Sequence, residues 1–144
     1  MKKQKLILNL SRGFMGLSAL SMLSVSLMAF ANPQSVMDLV QVKLNNADAF
    51  SSIRGVYGGV GLTLFVSITY MMVKDVKRGL LFLCMLWGLY ALSRLMTIGM
   101  EGSLGAFGTQ WLVTESLFFI IALSLSMAYR PAKAAKTTGS PAFA

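Results

Sequence analysis

The sequence between Arg54 and Lys74 contains no charged residue. At the rise of an α-helix this stretch is about 30 Å long, enough to cross the hydrocarbon core of a bilayer. An arginine stands at its beginning and a cluster of basic residues follows its end, so charge is confined to the two ends. We therefore interpret residues 53–73 as a membrane span around which the rest of the chain packs.

The composition supports a membrane protein. Of the 144 residues, 56% are hydrophobic and 12% are charged, and 11 are Met and 9 are Phe, proportions more typical of membrane proteins than of soluble ones. The net charge is +8, but the basic residues form short clusters between apolar runs, without a basic helix face or an aromatic platform. No nucleic-acid partner is therefore expected.

Several kinds of chemistry are excluded by residue type. The sequence has no histidine, which excludes His-ligated haem, His-containing zinc sites and Ser-His-Asp catalysis. Cys84 is the only cysteine, so no intrachain disulfide is possible. No nucleophile–base set is evident either. We expect no catalytic residue, no metal and no cofactor, and a role other than catalysis is favoured.

Three other stretches have the length of a membrane span. The four spans are 13–31, 53–73, 79–99 and 109–129. They predict an all-α fold, an integral membrane four-helix bundle, preceded by a basic N-terminus over 1–12. The tail, 130–144, combines basic residues with Pro, Gly and Ser, and is expected to be disordered.

Residues 1–31 also have the features of a secretory signal, with a basic start and the exit Ala29-Phe30-Ala31. However, no charge occurs from Gly13 to Met37, which is longer than the usual signal core of about 7–15 residues. Retention as the first span is favoured over cleavage. N-terminal sequencing that finds Asn32 as the first residue would establish cleavage.

The segment after the first span is too polar to cross a membrane. Asn32 is a good N-cap and Pro33 suits a first helical position, so a new helix is expected to begin here. Apolar residues follow at helical spacing: Val36, Leu39, Val40, Leu44 and Ala47. We interpret 33–48 as an amphipathic segment that lies along the membrane surface or caps the bundle. A plain connector is favoured over a ligand lid.

The distribution of basic residues predicts the orientation. One side of the predicted topology carries Lys2, Lys3, Lys5, Arg12, Lys74, Lys77, Arg78, Arg130, Lys133 and Lys136. The other side has Lys43, with Arg54 at its boundary. The positive-inside rule then places both termini in the cytoplasm and the 32–53 and 100–108 segments outside. The location expected is the bacterial inner (cytoplasmic) membrane, crossed several times.

Two charged residues lie within predicted spans. Arg94 and Glu115 are each about 8–9 Å from the outer end of their span at helical rise, and charged groups within a membrane usually face a partner. Their matching depth predicts an ion pair between the third and fourth spans, with Arg54 as a possible second donor. Tyr90 lies one turn before Arg94 and Tyr57 one turn after Arg54. These five residues form a predicted polar cluster.

Three interpretations of this cluster remain open. It stabilises the register of the helices, it forms a ligand-binding pocket, or it relays protons or ions, and the structural interpretation is favoured. The first turns of the second span also contain Gly55, Gly58, Gly59 and Gly61. Small residues let helix backbones approach closely in lipid, so these glycines are expected to pack against another helix. A helix of the same chain is favoured over a helix of a second copy.

A set of motifs spans residues from about 14 to 129. It consists of Asn32-Pro33, Arg54-Gly55-Val56-Tyr57-Gly58-Gly59, Arg94, Glu101-Gly102 and Glu115. In these positions the chain resembles a bacterial family of small four-helix membrane proteins, domain of unknown function 4345. The family is distantly similar to DoxX-like membrane proteins, some of which are linked to quinone or thiol oxidation. The resemblance implies a fold and a membrane location, and no established activity.

Three functions are compatible with these features. The favoured one is a binding or scaffold bundle that holds a lipid, a quinone or a partner membrane protein in its polar cluster. The second is an accessory subunit of a quinone- or thiol-linked redox system. In that case a bound flavin or quinone, or a partner protein, would carry the electrons. The third is a small oligomeric proton-coupled exporter with Glu115 as the carrier, although a neighbouring arginine opposes protonation of that carboxylate.

Overall fold

The computed structural model describes residues 2–130. Within this range the elements are α1 (Lys2–Ala31), α2 (Pro33–Asp38), α3 (Ala47–Ile53), a π-helical segment (Arg54–Gly59), α4 (Val60–Lys74), α5 (Val76–Glu101) and α6 (Ala106–Ala128). Because α3, the π segment and α4 are continuous, residues 2–130 contain four helices long and apolar enough to cross a membrane. The predicted all-α four-helix fold is confirmed. The expected tail, 130–144, lies outside the described residues except for Arg130.

Side-chain caps separate the helices. Asn32 is extended and its side chain accepts a hydrogen bond from the backbone N–H of Gln34 at 3.1 Å, with Pro33 at the start of α2. Asp75 alone separates α4 from α5, and its carboxylate accepts a hydrogen bond from the backbone N–H of Arg78 at 3.1 Å. Caps of this kind satisfy N–H groups that have no partner in the first turn of a helix.

The core lies between α1 and the other three long helices. The closest packing is between α1 and α4 and between α5 and α6. α1 contributes small side chains as well as apolar ones, and Ser18 and Ser26 are fully buried. The apolar centre consists of Phe14, Met15, Ala19, Ile68, Val76, Leu80, Leu83, Trp87 and Ala122. Small residues along α1 let neighbouring helices approach closely, which is how helices pack in lipid.

The outer surface of the bundle is apolar. Leu20, Val66, Leu89 and Leu117 are each more than half exposed, and they come from the four different long helices. Such a surface suits contact with acyl chains, where exposed apolar side chains carry no hydration cost. The chain is therefore a membrane protein.

The segment after α1 differs from the expected continuous amphipathic stretch over 33–48. α2 ends at Asp38, and Gln41 has a left-handed backbone with φ 58°. The side chain of Gln34 explains the break, because its Nε2 donates to Asp38 at 2.7 Å and to the Val42 carbonyl at 2.9 Å. Its Oε1 accepts from the backbone N–H of Leu44 at 2.9 Å. These bonds hold a compact loop in place of further helical turns.

The expected role of the four glycines is correct for only two of them. A Cβ added at Gly58 would lie 2.9 Å from the Phe30 ring, and one at Gly61 would lie 3.0 Å from the Cβ of Ser26, so both glycines pack closely against α1. A Cβ at Gly55 or Gly59 would meet no atom within 4 Å. The prediction that Gly55 and Gly59 pack within the bundle is therefore wrong, because their face of the helix turns away from α1.

Candidate ligand-binding groove

The π segment is the one irregular stretch in the second long helix. The backbone N–H of Val60 donates to the carbonyl of Gly55, five residues back, and the Ser26 hydroxyl donates to the carbonyl of Gly58 at 2.7 Å. Glycine lowers the preference of this stretch for a regular α-helix, and the serine of α1 supplies a partner for a carbonyl in the widened turn. π-helical turns often occur at functional sites. This one brings Val56 and Tyr57 to the wall of a groove.

The groove has a volume of about 460 Å³ and lies at the end of the bundle where α1 ends and α6 begins. All four long helices contribute to it. We call it the aromatic groove, because five aromatic side chains line it. These are Tyr57, Trp87, Tyr90, Phe107 and Trp111. α2 and the turn after it contribute Val36, Met37, Leu39 and Val40. The volume falls in the range of small-molecule sites, roughly 300–1,000 Å³.

The aromatic groove opens on the side of the bundle. Of its lining residues, Val56 and Val60 are 59% and 52% exposed, and Tyr57 and Tyr90 are 39% and 41% exposed. These residues belong to helices of membrane-spanning length. A molecule dissolved in the surrounding lipid therefore has a lateral route into the groove.

Arg94 and Glu115 form an ion pair at the wall of the groove. The Nε of Arg94 donates to one carboxylate oxygen at 2.6 Å and its Nη2 donates to the other at 2.8 Å. The side chain of Glu115 is 3% exposed, whereas that of Arg94 is 26% exposed and lines the groove. The carboxylate therefore lies behind the guanidinium, and the pair has no net charge. A guanidinium carries more N–H donors than one carboxylate engages, so Arg94 retains donors for a ligand.

Trp87 forms the inner wall. Its side chain is 1% exposed and its indole N–H donates to the Ser18 hydroxyl at 3.3 Å. The Tyr90 ring lies edge-on to it with a centroid distance of 6.0 Å, and the Phe118 ring packs on it at 5.0 Å. The interior wall is thus apolar and held by packing, whereas Arg94, Tyr57 and Tyr90 are partly exposed.

The predicted polar cluster is brought together only in part. Tyr57, Tyr90 and Arg94 line the aromatic groove, and Glu115 supports Arg94 from behind. Arg54 is not a second donor to Glu115, and it lies outside the groove lining. Its Nε donates to the carbonyl of Phe30 at 3.5 Å, at the end of α1. The last carbonyls of a helix have no partner within the helix, so they attract a nearby cation.

Several residues of the groove lining were not predicted from the sequence. Phe107 lies one turn before Trp111, and the two rings pack at 6.2 Å; this helical spacing was a detectable signal. Ser93 precedes Arg94 and also lines the groove. Leu39 and Val40 come from the turn after α2, where the side-chain bonds of Gln34 change the direction of the chain. Periodicity does not detect such a turn.

The fold and the groove together define this protein as a membrane-embedded four-helix bundle with a laterally open, mainly aromatic groove. One arginine of the groove wall is neutralised by a glutamate behind it. Within that class, the chain belongs to the family described as "Domain of unknown function (DUF4345)", which matches residues 10–126. No curated protein and no solved structure matches the sequence.

Proposed function

We propose that the chain is a binding protein for an uncharged amphipathic lipid, which enters the aromatic groove from the bilayer. The observation that carries the proposal is the position of Arg94. This residue lines the groove, its charge is balanced by Glu115, and it retains N–H donors. The ligand's polar end would offer carbonyl or hydroxyl oxygens to those donors, and its apolar part would lie along the aromatic walls.

Electrostatics favour an uncharged ligand over an anionic one. An anion at Arg94 would also lie near the Glu115 carboxylate, in surroundings of low dielectric where like charges repel strongly. A carbonyl or hydroxyl oxygen accepts the same hydrogen bonds without that repulsion. Quinones and acylglycerols both have this chemistry. Of the two, a quinone would also suit an accessory subunit of a membrane redox system.

The two tryptophans provide a direct measurement. Trp87 and Trp111 are the only tryptophans of the chain and both line the aromatic groove. Their fluorescence is recorded in phosphatidylcholine nanodiscs during titration with decylubiquinone, which quenches by contact. We expect saturable quenching with one quinone per chain, and we expect the addition of monoolein to restore the fluorescence by competition.

A matched pair of variants separates binding in the groove from partitioning into lipid. Val60 and Val66 both lie on α4 and are 52% and 56% exposed, but only Val60 lines the groove. We expect Val60→Phe to abolish saturable quenching and Val66→Phe to retain it. Equal, non-saturating quenching in both variants would refute the proposal. Competition by dodecanoate stronger than that by dodecanol would refute the preference for an uncharged ligand.

We further propose that the protein resides in a bacterial inner membrane with both termini in the cytoplasm. The support is the asymmetry of charge between the two ends of the bundle. At one end lie Lys2, Lys3, Lys5, Arg12, Lys74, Lys77, Arg78 and Arg130; at the other lie Lys43 and Arg54. Positively charged residues near the ends of spans are retained on the cytoplasmic side.

Single-cysteine labelling tests the orientation. In a Cys84→Ser background, Ser103→Cys places a thiol between α5 and α6, and Lys2→Cys places one at the start of α1. A membrane-impermeant maleimide added to spheroplasts should label position 103 and not position 2, and both positions should be labelled after lysis. The reverse pattern would contradict the proposed orientation.

A further inference from the structure

A second cavity lies at the end of the bundle opposite the aromatic groove. It has a volume of about 440 Å³ and lies where α4 ends and α5 begins, between α1 and the end of α6. Four cationic side chains line it, and we call it the basic pocket. They are Arg12 from α1, Lys74 from α4, and Lys77 and Arg78 from α5. Asp75 is the only carboxylate in its lining.

Two of the four cations already have partners. The Nε of Arg78 lies 3.2 Å from the carboxylate of Asp75, which also caps α5. Lys77 donates to the carbonyl and, at 3.2 Å, to the hydroxyl of Ser126 on α6. Within residues 2–130, neither Arg12 nor Lys74 has an ion-pair partner. The basic pocket therefore retains unneutralised positive charge, in contrast to the neutral aromatic groove.

The remaining walls of the basic pocket are apolar. Leu8, Val73, Val76 and Tyr129 line the same cavity as the cations. All four long helices reach this end of the bundle, and Tyr129 is of a type common at the membrane–water interface. Cationic and apolar walls thus meet in one cavity at the end of the spans, which suits the junction between a phospholipid head group and its acyl chains. Basic pockets between transmembrane helices bind the head groups of anionic lipids.

We propose that the basic pocket binds one anionic phospholipid. Arg12 and Lys74 would contact the phosphate oxygens, and the first part of an acyl chain would lie against Leu8 and Val73. The site is separate from the aromatic groove and does not depend on the ligand proposed for it. Because the two cations come from α1 and α4, the bound lipid would connect the ends of these helices.

Native mass spectrometry tests this site. The full chain is released from nanodiscs of phosphatidylcholine that contain a minority of phosphatidylglycerol with the same acyl chains. We expect one retained phosphatidylglycerol per chain, in excess over its share of the bilayer. Addition of millimolar inorganic phosphate should leave this lipid in place. Release of the lipid by phosphate would show that the pocket binds a soluble anion and would overturn the proposal.

Matched variants separate a specific site from the general attraction of a basic surface. Arg12→Gln and Lys74→Gln remove pocket cations, whereas Lys5→Gln removes another exposed cation of α1 that does not line the pocket. Each pocket cation should contribute about fivefold to the preference for phosphatidylglycerol. We therefore expect Arg12→Gln and Lys74→Gln each to lower this preference about fivefold, and Lys5→Gln to leave it unchanged. An equal loss in all three variants, or no loss in any, would overturn the proposal.

Discussion

Arg94 and Glu115 join α5 to α6 through two hydrogen bonds, of 2.6 and 2.8 Å, in an arrangement where the carboxylate is 3% exposed and the guanidinium 26% exposed. The two partners thus differ in their access to the aromatic groove. Removal of the arginine leaves an enclosed carboxylate without its cation. Removal of the glutamate leaves a cation whose long side chain can extend toward the membrane surface.

This difference predicts unequal effects of two substitutions. Arg94→Ala should lower the free energy of unfolding by about 3–5 kcal/mol, the cost typical of a buried charge left without its partner. Glu115→Ala should cost less, about 1–3 kcal/mol, because the long arginine side chain left behind can extend to the membrane surface, where its charge is hydrated. The measurement is reversible unfolding in mixed micelles, with Glu101→Ala, an exposed carboxylate at the end of α5, as the control.

Double variants of the pair test the same explanation. Replacement of both residues by leucine should restore most of the stability lost in Arg94→Ala, because it removes the uncompensated charge. Exchange of the two residues should restore it in part. If Glu115→Ala is as damaging as Arg94→Ala, the reach of the arginine side chain does not lower the cost of its unpaired charge.

Two buried serines of α1 should respond oppositely to the loss of their hydroxyl groups. Both Ser11 and Ser18 are fully buried, and within residues 2–130 the Ser11 hydroxyl has no hydrogen-bond partner, whereas that of Ser18 accepts from Trp87. Ser11→Ala should therefore raise the free energy of unfolding by about 1 kcal/mol, and Ser18→Ala should lower it by about 1–3 kcal/mol. Thermal unfolding of the two variants in the same detergent makes the comparison, and a loss of stability in Ser11→Ala would contradict it.

Alanine substitutions at two glycines of the second long helix should have different effects on the free energy of unfolding, measured by the same thermal unfolding in detergent. A Cβ at Gly61 would press on Ser26 and on the Met22 carbonyl, at 3.0 and 3.4 Å, so α1 itself must move. Gly61→Ala should cost about 1–3 kcal/mol, as overpacking does. Gly55→Ala should be neutral or stabilising by up to about 1 kcal/mol, because space is open and alanine loses less backbone entropy than glycine on folding. Equal losses at the two positions would indicate that Gly55 also packs against a neighbour.

Lys77 should stabilise the contact between the beginning of α5 and the end of α6. Its ammonium group donates to the carbonyl of Ser126, which is among the last carbonyls of α6 and has no partner in the helix. Lys77→Ala should lower the free energy of unfolding by about 1.5–3 kcal/mol, the range for hydrogen bonds to charged groups. Lys5→Ala, at an exposed site of α1, serves as the control and should change stability by less than about 0.5 kcal/mol. Measurements in phosphatidylcholine alone keep anionic lipid out of the comparison.

Much of the fold was predictable from local sequence. Membrane-spanning helices show long apolar runs because every backbone polar group must be satisfied within the segment. The pairing of Arg94 with Glu115 was predictable for a related reason, since two charges at equal depth in lipid have few other partners. The end of α2 at Asp38 was not predictable from local sequence. It depends on hydrogen bonds between the side chain of Gln34 and groups four to ten residues further along the chain.

The sequence by itself determined that this is an all-α membrane protein with four long helices and an ion pair between the last two, because hydropathy and charge act along each segment. Only the tertiary structure decided which glycines face α1, that Arg54 bonds to the end of α1 and not to Glu115, and that the aromatic side chains enclose a groove. Those outcomes depend on the rotation of each helix about its axis. That rotation is set by contacts such as Ser26 with Gly58, between residues distant in the chain.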